Sequence, residues 1–302
     1  MTRLAVLTDI HGNLPALEAV IDDMQQFHPD HVIVGGDLIN GVPFDAEVVG
    51  RVVSLGWTAI RGNHEFYLLD YGTPRLRENM RHSRSPAWLN ERLKDWLPYI
   101  ATMPDELRLY YRDGPPIYLT HGLPMNPYDA VTRTTPDETI IEWFRNIQET
   151  TIITGHYHLP VERHVRDWYF INPGPVGALM DGTNNAAYVL LDAAGDHWTA
   201  TFRCVPYDFA RVEEAFQRHK LDSLLGVEGL LKCEQHRRAR PTIGPFGEWL
   251  AANHPGGAWS YERAYEFLDL PLEAIWEYVG EAYFTNPEIP LPRPVKNTGQ
   301  PI

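Results

Sequence analysis

Short apolar runs that end on a polar residue recur through the first half of the chain. Residues 4–8, 32–34, 117–120 and 151–154 are runs of this kind, each followed closely by an Asp or a His. Between the first two runs, Leu14, Leu17, Val20, Ile21 and Met24 fall on one helical face, and Pro29 ends that region. Residues 31–35 read as the next strand, Val48, Val49, Val52, Val53 and Leu55 as the next helix, and residues 58–61 as a short strand leading into Gly62. This strand–helix rhythm predicts a parallel sheet covered by helices. Residues 70–100 break it. They are rich in Arg, Pro and Trp and predict an insertion beside the site, with one helix over residues 86–97. From Glu106 the pattern turns to strands at 107–111, 117–120, 151–154, 161–165, 168–171, 187–191 and 198–205, with turn signals at Arg166-Asp167 and Gly195-Asp196. These predict a second, more antiparallel sheet. The expected architecture is therefore α/β, two packed mixed β-sheets flanked by helices in four layers.

After Pro206 the pattern becomes helical, with Phe209, Val212, Ala215 and Phe216 on one face. From about residue 236 the composition shifts to aromatic, with Trp249, Trp259, Tyr265, Trp276 and Tyr283. Leu272, Ile275, Trp276 and Val279 have helical spacing behind Pro271. Pro287, Pro290, Pro292, Pro294 and Pro301 predict an extended or disordered end. The expected division is a main domain at 1–235 and a helical C-terminal extension at 236–302.

The length of 302 residues allows one large domain or two, and 44% apolar content suits a substantial core. A net charge of -14 argues against a surface for a nucleic-acid duplex. It does not argue against a small phosphorylated substrate, because a bound metal dominates the local field. Cys204 and Cys233 form no C-x-x-C pair and read as reduced core thiols. The chain opens on a strand instead of a charged-then-apolar leader, and no apolar run is long enough to span a membrane. The expectation is a cytoplasmic protein with no membrane partner and an open oligomeric state.

The polar ends of the runs carry the chemistry. In order they are Asp9-Ile10-His11, Gly36-Asp37, Gly62-Asn63-His64-Glu65, His121-Gly122 and Gly155-His156-Tyr157-His158. An apolar run ending in a polar hook is how an α/β fold sets chemistry at the carboxyl ends of its strands. Mixed imidazole and carboxylate donors suit Mn, Fe, Zn or Co better than calcium. Two ions held together need a bridge, and Asp37, behind Gly35-Gly36 where backbones approach closely, is the candidate. Two ions bring four positive charges, against which Asp9 and Asp37 set two negative ones. The excess should attract phosphate and lower the pKa of a bridging water. Phosphate-loop, serine-hydrolase and zinc-protease motifs are absent.

In this order the clusters resemble the calcineurin-like metallophosphoesterase superfamily, whose pattern runs D-x-H, G-D, G-N-H-[DE], a lone H, then G-H-x-H. The resemblance covers residues 4 to about 205. It implies a metallophosphoesterase sandwich with two divalent ions per chain at the strand ends, Mn favoured and Fe, Zn or Co as alternatives. By position, Asp9, His11 and His158 would hold one ion with Asp37 bridging, and Asn63, His121 and His156 the other. His64 would be the general acid or charge stabiliser beside the phosphate. Residues 9–13, 172–174 and 205–208 also resemble the small bacterial branch, linked to phosphodiesters and symmetrical dinucleoside tetraphosphates. Two departures stand out. Asn40 and Gly41 replace the Asp-Arg of the protein phosphatases. Pro175 and Met180-Asp181-Gly182 stand where the bacterial branch has Ser and Arg-Asp-Gly. A phosphate-gripping arginine must then come from elsewhere. Arg75, Arg77, Arg81 and Arg84 are candidates that read more simply as solvated charges, and His82 is left open. His28, His31, His164, His197, His219, His236 and His254 read as surface or structural. The expected function is two-metal hydrolysis of a phosphodiester or dinucleotide-type substrate by a metal-bridging hydroxide, with His64 protonating the leaving oxygen. The alternative is a phosphomonoesterase. A non-catalytic scaffold is disfavoured, because such scaffolds are expected to lose ligands and all seven are kept here.

Overall fold

Strand β1 (Arg3–Leu7) is the hub of the first sheet. In the computed structural model, which describes residues 1–178, 180–271, 274, 275 and 278, Leu4, Ala5, Val6 and Leu7 are all fully buried. A strand buried on both faces belongs inside a sheet covered on both sides. Chain direction reverses through α1 (Leu14–Gln25), whose start is fixed by Asn13, whose side chain accepts from the Ala16 amide at 3.2 Å, and by Pro15 in the first turn. There follow β2 (His31–Val34), α2 (Asp45–Ser54), β3 (Thr58–Ala59), α3 (Asn63–Leu69), a 3-10 turn (Glu78–Met80), α4 (Ser85–Arg92) and α5 (Leu97–Thr102). The one helix expected over 86–97 is two. Pro98 lies in the first turn of the second, where its missing N–H is harmless, whereas inside a continuous helix it would break the hydrogen-bond ladder.

The chain continues through β4 (Glu106–Leu109), β5 (Ile117–Thr120), α6 (Asp137–Phe144), β6 (Thr151–Ile153), β7 (Val161–Val165), β8 (Trp168–Asn172), β9 (Asn185–Ala193) and β10 (Trp198–Pro206). Five helical segments close it: α7 (Phe209–His219), α8 (Leu221–Leu224), α9 (Val227–Arg238), α10 (Ile243–Asn253) and α11 (Tyr261–Leu268). The first sheet has the order β10-β9-β1-β2-β3 and the second β4-β5-β6-β8-β7. In the first, β1 pairs parallel with β2, with Val6 opposite Ile33, and antiparallel with β9, with Val6 opposite Val189. The second has β5, β6 and β8 parallel and β4 and β7 antiparallel at its edges. Both sheets are thus mixed to the same degree. β9 and β10, expected in the second sheet, belong to the first. The physical reason lies in β9, which is buried along most of both faces and fills the open edge of β1.

Period-two alternation divides the core into layers. Leu4, Val6, Ile33, Ile117, Leu119, Ile153, Val189 and Leu191 meet between the two sheets. Ala5, Leu7 and Val34 face outward onto Leu17, Val20, Val48 and Val52 of α1 and α2. Tyr118, Ile152 and Phe170 face the other way, onto Ile140 and Phe144 of α6. The result is the expected four layers. Helices α9 to α11 build a smaller core of Leu230, Leu231, Phe246, Trp249, Ala264 and Phe267. Helix α9 runs through the expected division at 235/236 without interruption. Residues 274, 275 and 278 are helical, whereas Leu272, Trp276, Val279 and the proline-rich end lie outside the described residues. Among the described residues, no helix is long and apolar enough to cross a membrane.

Candidate metal centre

Every candidate ligand sits just beyond the carboxyl end of a strand. Asp9 and His11 follow β1, Asp37 follows β2, Asn63 follows β3, His121 follows β5, and His156 and His158 follow β6. The turns that aim these side chains are strained. Asp9, His11, Asp37, Asn40, His156 and His158 all have positive φ, from 50° to 73°. Such backbone costs about 1–3 kcal/mol per residue and persists only where the surroundings impose it. Here the loops brace one another: the Asp9 amide donates to Gly36 O at 3.0 Å, His11 to Asp37 O at 2.9 Å, and Gly155 to His121 O at 2.8 Å. Close approach also explains Gly62, where a Cβ would lie 2.2 Å from Asp37 Oδ1. Glu65, one turn on, is fully buried and accepts from the amides of Gly62, Asp37 and Leu38 at 2.7–2.9 Å. Burial and the neighbouring Asp37 carboxylate push Glu65 up to about 8.

The ligand atoms gather into two groups that share one residue: Asp9, His11, Asp37 and His158 in one, and Asp37, His121 and His156 in the other. Asn63 joins the second, its Oδ1 lying 3.0 Å from His121 Nε2 and 2.8 Å from His156 Nδ1. The backbone sets the tautomers. His11 Nδ1 faces Ile39 O at 3.1 Å, His158 Nδ1 faces Ala178 O at 2.9 Å, and His121 Nδ1 faces Gly35 O at 2.8 Å. A carbonyl only accepts, so each Nδ1 carries a hydrogen and each Nε2 is the nitrogen turned inward, the one that would bind an ion. His156 is reversed, with Nε2 facing Tyr128 O at 3.1 Å and Nδ1 turned inward. The Nε2 atoms of His11 and His158 end up 3.0 Å apart. At that distance the two nitrogens share a single proton, and a divalent cation held by both would take that proton's place. The residues therefore fit divalent ions.

Asp37 is divided between two tasks. Its Oδ1 accepts from the His64 amide at 2.9 Å. Its Oδ2 is buried with no hydrogen-bond partner among the described residues. That oxygen lies 3.2 Å from His121 Nε2, 3.6 Å from His11 Nε2 and 3.8 Å from His64 Nε2. Asp9 Oδ1 also approaches histidines of both groups, at 3.3 Å from His158 Nε2 and 3.9 Å from His121 Nε2, but Asp37 is the residue that both ligand groups contain. Burial opposes ionisation of Asp37 and Asp9, yet His121 and His158 respectively hold both carboxyls well below the usual range. Burial pushes His11 and His156 down to about 4, so both rings are neutral lone-pair donors at physiological pH.

His64 does not point a lone pair at the ligand cluster. Its Nδ1 lies 2.6 Å from Asn40 Nδ2, and its Nε2 faces Asp37 Oδ2. Beside it opens a cavity of about 1040 Å³, floored by His11, Asn40, His64 and His158 and walled by the insertion and by α9 to α11. Of the insertion arginines, Arg75 pairs with Asp70, Arg81 with Glu78, and Arg77 lies over the Tyr128 ring, while Arg84 lines the cavity. His82 lines it too, as does His236, which is buried and not at the surface. Lys232, Gln235 and His236 were not legible as site residues from motifs. A signal for them existed: Glu228, Lys232, Gln235 and His236 form one polar stripe on a helix whose other positions include Leu230, Leu231 and Cys233.

Comparison with known proteins agrees with this geometry. The sequence model for the family described as calcineurin-like phosphoesterase matches residues 2–180. An uncharacterised protein of Methanocaldococcus jannaschii is 26% identical over 242 residues, covering 74% of this chain and 96% of its own. Phosphodiesterase YfcE of Escherichia coli strain K12 is 25% identical over 207 residues, covering 64% of this chain and 88% of its own. Two solved structures share the fold. A metallophosphoesterase from Sphaerobacter thermophilus has TM-score 0.63 and 22% identity, over 79% of this chain and 100% of its own. A hypothetical protein from Pyrococcus horikoshii has TM-score 0.64 and 20% identity, over 75% and 97%.

Proposed function

Because the chain belongs to the calcineurin-like phosphoesterase family, and is thus a metal-dependent phosphoester hydrolase, we propose that it binds two divalent ions and hydrolyses a phosphodiester or dinucleotide-type substrate. The observation that carries this reading is Asp37 Oδ2, buried, without a hydrogen-bond partner among the described residues, and set between the two ligand groups. Asp9, His11 and His158 complete one site, and Asn63, His121 and His156 the other. When bound, such ions supply Lewis acidity and lower the pKa of a coordinated water. The chain supplies the rest. Buried carboxylates and carbonyl-anchored imidazoles hold the geometry, and His64 Nε2 faces the position of the reacting phosphoryl group. The large cavity beside His64 supports a substrate with a bulky substituent over phosphate esters of small alcohols. Imidazole donors favour Mn over Mg. The reading is tested by turnover of bis(p-nitrophenyl) phosphate, p-nitrophenyl phosphate and dinucleoside polyphosphates after chelation and reconstitution with Mn, Fe, Zn or Mg. Diester or dinucleotide turnover restored best by Mn is expected. Turnover confined to the monoester would overturn the substrate assignment, and full activity in protein shown to be metal-free would overturn the metal assignment.

A further inference from the structure

A chain of hydrogen bonds runs from the C-terminal helices to His64, and its polarity is fixed at one end. The Glu228 carboxylate of α9 accepts from Ser83 Oγ at 2.8 Å and from the Arg84 amide at 3.0 Å, and it also accepts from Ser85 Oγ of α4. A carboxylate has no proton to give, so Ser85 spends its hydroxyl hydrogen on Glu228. Ser85 Oγ must then accept from Lys232 Nζ, 2.9 Å away. Lys232 is 4% exposed, and its second contact is Asn40 Oδ1 at 2.5 Å. Burial draws the Lys232 ammonium below its ordinary pKa, while Glu228 and Asp45 support its charge. An ammonium only donates, so the Asn40 atom facing it is the oxygen. The Asn40 amide N–H must therefore face His64 Nδ1, 2.6 Å away. A ring nitrogen that accepts carries no hydrogen. The single hydrogen of His64 is on Nε2, the atom facing Asp37 Oδ2 at 3.8 Å.

We infer that Lys232, acting through Asn40, locks His64 as a neutral hydrogen-bond donor, and that the site serves phosphoryl compounds whose leaving oxygen departs as a stable anion, such as phosphoric anhydrides and aryl esters, in preference to alkyl phosphodiesters. Lys232 is a positioning residue. The inference rests on the reading of His64 as facing the reacting phosphoryl group, and it revises the expectation that His64 protonates the leaving oxygen. To become a proton donor that returns to neutral, the ring would need a hydrogen on Nδ1 as well, directed at the Asn40 N–H. Asn40 cannot turn its oxygen to receive it without setting an amide N–H against the Lys232 ammonium. An aspartate at this position would impose no such restriction, since either carboxylate oxygen accepts. In the step itself, hydroxide forms one P–O bond and the bond to the leaving oxygen breaks, leaving its electron pair on that oxygen. The anion leaves unprotonated, and any proton it later takes comes from solvent. The Nε2–H donates to a phosphoryl oxygen throughout and is never transferred.

The test uses full-length protein labelled with nitrogen-15 histidine and loaded with Zn, which is diamagnetic. Long-range proton–nitrogen correlation spectra read each ring nitrogen, and His64→Gln assigns the His64 signals. A protonated Nε2 and a bare Nδ1 are expected in the wild type. A protonated Nδ1 would overturn the inference. In Lys232→Met the proton should redistribute toward Nδ1, and in Asn40→Asp it should sit there. An Nε2 proton unmoved in Lys232→Met would show that Lys232 does not set the tautomer. Kinetically, His64→Gln should lose about 10²-fold in kcat, the cost of one donor to the transition-state oxygen, by the same factor on p-nitrophenyl and alkyl esters. A loss about tenfold larger on the alkyl ester would restore proton donation and contradict the inference. If the wild type turns over no phosphoester, the proposed function fails, while the nitrogen spectra still decide the state of His64.

Discussion

At the scale of single residues, the candidate donors were legible in the sequence but their orientation was not. D-x-H and H-x-H patterns announce donors. Which ring nitrogen faces the centre depends on carbonyls of Ile39, Gly35, Ala178 and Tyr128, far away in the chain and carrying no side-chain signal. Glu65 is a related case. It stands in the G-N-H-E motif, yet its task is structural, gathering three amides around Asp37. Glu65→Ala would leave those amides buried and unpaired, at about 1–3 kcal/mol each. A loss of about 3 kcal/mol or more in urea unfolding is expected, with weakened metal binding, and a loss below about 1 kcal/mol would contradict the role. Asp45 gives a pH signature. Burial pushes it up to about 6 from 3.8, against the help of the Asn40 amide. A carboxyl raised in the folded state contributes stability that is fully present below about 3.8 and is lost as pH rises through about 6. Asp45→Asn retains the acceptor for the Asn40 amide and cannot titrate. Its stability relative to wild type should therefore climb between pH 4 and pH 6. Unfolding curves of the metal-free proteins across that range check this, and a flat difference would refute it.

At the scale of elements, strands with apolar runs and amphipathic helices were read to within a few residues, as with the runs at 4–8, 117–120 and 161–165. Two kinds of element were misread. Strand β9 was placed with its sequence neighbours, because pairing across the sheet from β1 involves residues nearly the whole domain apart, with Arg3 opposite Asp192. The short helices α3 and α6 have too few turns to show a period. The expected division at 235/236 reflected a real change of composition, but α9 packs on both sides of it. Leu230 and Leu231 join the core of α10 and α11, while Lys232 reaches Asn40. That small core can be probed alone. Phe246 is fully buried against Trp249 and Phe267, and Phe246→Ala should cost about 3–5 kcal/mol. Hydrogen exchange should quicken in amides of residues 227–268 while β1, β5 and β6 remain protected. Metal content should not change, because neither ligand group draws on those helices. Loss of metal in Phe246→Ala, or uniform exchange across the molecule, would mean that the helices and the sandwich form one cooperative unit.

At the scale of the whole molecule, two sheets bring the carboxyl ends of β1, β2, β3, β5 and β6 to a single locus, and the account stands or falls on what is bound there. A chain with net charge -14 places two buried carboxylates, four imidazoles and the Asn63 amide around that point. Binding at a site present only in the folded state should raise stability by about 2.7 kcal/mol per site at a hundredfold excess of metal over Kd. The central claim is that Asp37 joins two sites. The measurement that tests it most directly is metal stoichiometry, by elemental analysis of chelator-stripped, Mn-reconstituted protein in wild type, Asp37→Asn and Asp9→Asn. The account predicts two ions per chain in the wild type, loss at both sites in Asp37→Asn, and retention of one ion in Asp9→Asn. One ion per chain in the wild type, or equal losses in the two variants, would contradict it.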